Sequence, residues 1–241
     1  MSIPRRNLSR VLLLVAAAVI AAPSVSAADA QPVATPESRL ASRLDAPTRN
    51  AVLAEVDSAR RAGLPVAPLV DRALEGAGKR ALGRAVSDAD IVAAVRRLRV
   101  ALGSAREALG SRADGTELAA GASALQADVP PATLVALGRA RSSGSLTVPL
   151  SVLTDLVAIG VPADTAARTV IALARAQDAV LLAYQRDVER DIGIGALPAV
   201  AASVRAAGLE KITADGLLHS PGVPSSLNAA AGGKPRPPRK P

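Results

Sequence analysis

Gly63-Leu64-Pro65-Val66-Ala67-Pro68-Leu69-Val70-Asp71-Arg72-Ala73-Leu74-Glu75-Gly76 opens with an aliphatic residue and a proline, then sets Leu69, Val70, Ala73 and Leu74 at helical spacing. The same entrance returns at Val129-Pro130, Val148-Pro149, Val161-Pro162 and Leu197-Pro198. Proline fits the first helical turn because its missing N–H would have had no partner there, and it holds the residue before it extended. No segment shows the alternating apolar pattern of a half-buried strand. The expectation is an all-α fold: an irregular array or bundle of about eight to nine short antiparallel helices, solenoid-like in one form.

Composition supports this and closes off several chemistries. The 241 residues include 54 alanines, no cysteine, no Phe or Trp, and Tyr184 as the single aromatic. Thin Ala, Leu and Val side chains let helices pack closely. Without cysteine there is no disulfide framework, thiolate metal site or thiol nucleophile. Without aromatic faces, a stacking platform for sugars or single-stranded nucleic acid is ruled out. The formal charge of +8 is concentrated at the ends: residues 28–219 carry 22 Lys and Arg against 21 Asp and Glu. No sequence-specific nucleic-acid footprint is expected from such a body.

The ends differ from the body. Residues 1–27 combine a basic start, the apolar run Val11 to Ala22, the helix breaker Pro23 and small residues at Val25-Ser26-Ala27, which together predict a secretory signal peptide. The protein is therefore expected to be exported, to the periplasm or cell exterior. Arg5-Arg6 faintly resembles a twin-arginine leader. The strongly apolar run after it points instead to the general secretory route. Residues 28–46 read as a flexible linker, 47–209 as the helical domain, and 210–241 as a disordered tail rich in Pro, Lys and Arg.

Within the body, a first helix from Pro47 closes at Gly63, and the quoted stretch is expected to end at the turn Gly76-Ala77-Gly78-Lys79. Ser87 with Asp90 resembles a capping box opening the longest helix. There Ile91, Val95, Leu98, Leu102, Ala105 and Leu109 form a heptad-like seam that stops at Gly110, a packing face too short for a free coiled coil. Helices are then predicted at about 116–127, 130–141, 149–159, 162–175, 177–192 and 197–207, with turns such as Ser142-Ser143-Gly144 between them. The proline entrances fit no single period, so a regular repeat is not established.

Several groupings invite a chemical reading. Gly76-Ala77-Gly78-Lys79-Arg80 suggests a phosphate loop, but Ala73 stands where its first glycine belongs, Arg80 follows the lysine, and no strand precedes it. His219, the single histidine, lies beside Ser220-Pro221-Gly222 with little to orient it as a base or zinc ligand. Asp187, Glu189 and Asp191 interleave with Arg186 and Arg190 as surface ion pairs do, and Glu55 and Asp57 point to different sides of one helix. Tyr184 falls with Leu181, Val188 and Ile192 on a core face. Arg96, Arg99 and Arg106 form a basic stripe, either a solvated face or a contact for anions. With Lys234, Arg236, Arg239 and Lys240 of the tail they are the candidate anion contacts. No catalytic, cofactor-binding or metal-ligating residue is assigned, and no cofactor is expected.

The quoted Gly63–Gly76 stretch, the arginine-rich helix after it and the later segment Tyr184-Gln185-Arg186-Asp187-Val188-Glu189-Arg190-Asp191-Ile192 together resemble uncharacterised exported bacterial proteins rich in alanine and arginine. That resemblance, over residues 47–209, implies no activity. Tetratricopeptide-type arrays are similar in architecture alone, since their aromatic signatures are missing here. The expected function is a non-enzymatic helical interaction or scaffold protein of the cell envelope, with a groove between helices that accepts another, unidentified protein. The alternatives are an envelope enzyme working through carboxylates, and a weak binder of polyanions or membrane surfaces acting through the basic tail.

Overall fold

The computed structural model describes residues 35–214, with side chains through Lys211. Every regular element of the described residues is an α-helix, and none is a strand: α1 (Pro36–Ala41), α2 (Ala46–Arg61), α3 (Ala67–Ala81), α4 (Asp88–Leu109), α5 (Gly115–Gln126), α6 (Pro131–Ala140), α7 (Thr147–Ala158), α8 (Ala163–Ala172), α9 (Asp178–Gly193) and α10 (Pro198–Ala214). The predicted signal peptide, residues 28–34 of the predicted linker, His219 and the tail cations Lys234, Arg236, Arg239 and Lys240 lie outside the described residues.

The proline entrances lie at or just ahead of helix starts, although Val148, before Pro149, is helical rather than extended. Pro130 and Pro162 are the N-caps of α6 and α8, Pro198 is the first residue of α10, and Pro149 lies in the first turn of α7. Pro65 stands just ahead of α3, whose own first turn carries Pro68. Ser87 caps α4 and forms the reciprocal box with Asp90; Asp114 and Glu117 build a second box on α5. Gly110, at φ +83°, ends α4.

Several boundaries differ from the sequence expectation. The quoted helix does not stop at Gly76: α3 runs on to Ala81, so the glycine-rich segment is helix rather than turn. Gly76 is there because α4 crosses it closely; a Cβ at this position would stand 2.8 Å from Ile91 Cγ1. At the two ends, α1 lies within the predicted linker, and α10 continues five residues past the expected end of the domain to Ala214. Thr35 caps α1 by accepting from the Ser38 amide, and buried Leu40 and Leu44 tie the segment to the core.

The helices stack in two rows. Along one row α2 packs on α4, α4 on α6, α6 on α8 and α8 on α10; along the other α1 packs on α3, α5 on α7 and α7 on α9. Successive helices also pair across the rows, as in α3 with α4, α4 with α5, and α9 with α10. This is the solenoid-like form of the expected array. Its core is almost wholly Ala, Val and Leu, with Tyr184 the largest fully buried side chain. Among the described residues no helix is long and apolar enough to cross a membrane.

Candidate protein-docking face

The terminal helix α10 is held to the array by small residues and by two polar ties. Ala201, Ala202 and Ala206 are buried against α8 and α9. The Tyr184 hydroxyl donates to the Ala202 carbonyl oxygen at 3.1 Å. Arg205 meets Asp191 of α9 through a fork of two bonds, 2.6 and 2.8 Å long. The guanidinium of Arg205 lowers the pKa of Asp191, which keeps the pair charged.

With that side committed, the other side of α10 faces solvent, and it is apolar. Leu197 is 70% exposed, Val200 53% and Val204 64%, spaced i, i+3 and i+7 on one strip, with exposed Ala207 and Gly208 continuing it. Ile194, 82% exposed, sits in the turn just before. The first charge on this strip is Lys211. A helix apolar on two sides needs a covering on both. This face is not legible in the sequence, because burial decides which apolar row is the spare one. The available signal was α10 itself, apolar on more sides than one neighbour can cover.

The basic stripe of α4 is placed differently from an open anion contact. Glu55 on α2 is buried between two of its arginines: Oε1 accepts from Arg96 Nε at 2.8 Å and Oε2 from Arg99 Nε at 2.7 Å. Burial by itself would raise the pKa of Glu55, but the two guanidiniums together outweigh it and hold the carboxyl below its ordinary value. Arg106 Nη2 donates to the Gly63 carbonyl oxygen at 2.8 Å, closing the end of α2. These three arginines bind α4 to α2. The far side of Arg96 remains open to solvent.

The other acids singled out in the sequence are also engaged. Asp57 pairs with Arg60 at 2.5 Å and Asp187 with Arg190 at 2.7 Å, while Glu189 accepts from Gln185 at 2.8 Å. Of the interleaved pairs expected in α9, Asp187 with Arg190 forms within the helix, whereas Asp191 reaches across to Arg205. Asp57 and Glu55 do not share a pocket: one is exposed with Arg60, the other enclosed with Arg96 and Arg99. Tyr184 is in the core as expected, with burial raising its pKa against the lowering effect of Thr169.

Comparison of the chain with protein-family models, with curated proteins and with solved structures gives no match.

Proposed function

We propose that this chain is an exported, non-catalytic helical interaction protein of the cell envelope, which engages an amphipathic helix of another protein through the outer face of α10. The supporting observation is the exposed strip Leu197, Val200 and Val204. It sits on a helix whose opposite side is fixed by Tyr184 and by the Arg205–Asp191 fork, so it is presented on a rigid base. Anchors at i, i+3 and i+7 suit helix-against-helix docking. A membrane surface is the weaker fit, because a helix lying on lipid carries rows of Lys and Arg beside its apolar side. Here Arg205 is tied to Asp191, and Glu210 accompanies Lys211.

Val200→Asp combined with Val204→Asp tests the reading, since both side chains are solvent-facing and the fold does not need them. The variant should melt as the parent does and lose the cross-linked partners that the parent recovers from envelope fractions. Recovery of the same partners by both proteins would overturn the proposal. So would a parent that sediments as a stable dimer dispersed by the same changes, since the face would then belong to self-association.

A further inference from the structure

We propose a second site, independent of α10: a pocket that binds a small monoanion carrying an apolar body. It is a cavity of about 410 Å³ where the end of α4, the start of α5 and the turn from α6 to α7 meet. Its size is in the range of small-molecule sites. Three guanidiniums line it, from Arg112, Arg139 and Arg141, together with the carboxylate of Glu117.

The charges in this pocket are unequally occupied. Glu117 is committed to the protein: Oε1 accepts from the Leu146 amide at 2.7 Å and from Ser145 Oγ at 3.1 Å, and Oε2 from the Asp114 amide at 3.1 Å. Those bonds tie the start of α5 to the α6–α7 turn and fix one wall. Arg141 is nearly enclosed, with 10% of its side chain exposed; it donates to the carbonyl oxygens of Ala174 and Ala176 and pairs with Asp178 at 2.6 Å. Its Nε is buried with no acceptor. Gly144 at φ +84° lets the turn close over this group, for a Cβ there would come within 3.4 Å of Arg141 Nη2.

Arg112 and Arg139 remain, both exposed and without an ion-pair partner among the described residues. Two unanswered guanidiniums lining one cavity select for an anion. The floor sets the rest of the ligand, since Leu109, Val135 and Leu146 are apolar and only partly covered. A bare inorganic ion would leave that floor wet, whereas a carboxylate on a short hydrocarbon satisfies both halves.

Isothermal titration of the full chain with octanoate, acetate, inorganic phosphate and octyl glucoside separates these requirements. Octanoate is expected to bind saturably, and the other three to bind at least about tenfold more weakly. Arg112→Ala with Arg139→Ala removes no hydrogen bond or ion pair among the described residues, so it should melt as the parent does and lose octanoate affinity about tenfold or more. Gly138→Leu keeps every charge but fills the cavity, the Cβ position lying 3.8 Å from Leu146 Cδ1, and should block octanoate too. Equal octanoate affinity in the parent and the double-arginine variant would overturn the proposal. Phosphate or octyl glucoside binding as tightly as octanoate would do the same, by showing that charge alone or hydrocarbon alone suffices.

Discussion

The hydroxyl of Tyr184 on α9 donates to the main-chain carbonyl of Ala202 in the middle of α10. Burial raises the pKa of this phenol, the first effect on it, so the stabilisation it gives is present below the ordinary tyrosine value and is lost as pH rises through the higher folded value. With one tyrosine and no tryptophan in the chain, phenolate absorbance reports this group alone. The expected outcome is an alkaline titration beginning only above about pH 10 and coinciding with loss of helical circular dichroism. Tyr184→Phe should cost about 1 kcal/mol of stability and abolish the optical signal.

Glu55 makes the opposite pH prediction. Its carboxyl is held below its ordinary value, so its contribution is complete above the unfolded Glu range, about pH 4.3, and is lost as pH falls through the lowered value. Glu55→Gln should lower the urea midpoint at neutral pH by the equivalent of about 1–3 kcal/mol, the smaller part from Arg96, which is largely exposed. At strongly acid pH the parent and the variant should converge. A difference that persists unchanged on acidification would mean that packing, not the charge, is what Glu55 supplies.

Two glycines of α3 should respond in opposite senses to alanine. Gly76→Ala drives a Cβ against the stem of Ile91 and should destabilise the fold by about 1–3 kcal/mol, less the helix-propensity gain. Gly78→Ala meets nothing within 4 Å and should stabilise by about 0.5–1 kcal/mol. Thermal melts of the two single variants decide the matter. If both rise, α4 does not cross α3 at Gly76.

Export is checked by mass. The small residues of Val25-Ser26-Ala27 and Ser26-Ala27-Ala28 lead us to expect a mature protein that begins at Ala28 or Asp29. Recovery from membranes with Met1 or Ser2 at the N-terminus would show a retained anchor.

The helices were legible wherever a local device marks them: the prolines at their entrances, Ser87 with Asp90, and Gly110 at a positive φ. Legibility failed where a neighbour sets the outcome. Gly76 and Gly78 read as helix breakers until Ile91 explains one of them, and Thr35-Pro36 reads as loop until Leu40 and Leu44 find the core. The two-row stack was hidden for a related reason. Along one row the helices begin at residues 46, 88, 131, 163 and 198, intervals too uneven to show as a period, because stacking asks for matching faces rather than matching lengths. The sites suffered most. The arginine stripe was visible as a pattern, but its engagement by Glu55 from 41 and 44 residues away was not. Arg112 lies in the turn from α4 to α5, Arg139 in the last turn of α6 and Arg141 at its C-cap, and no spacing among them marks a pocket.

The principal packing partners in this array are never more than two helices apart in chain order. Contacts of such low sequence separation need little loop closure before they form, and chains built from them refold quickly. A polypeptide that emerges with its N-terminal end first can therefore lay each helix on the two before it, without waiting for a distant segment. Of the described helices, α10 would be the last to settle. Its outer strip, exposed among the described residues, then stands at the end of the described stack, and on the proposed function a helix from another molecule would continue the same addition there.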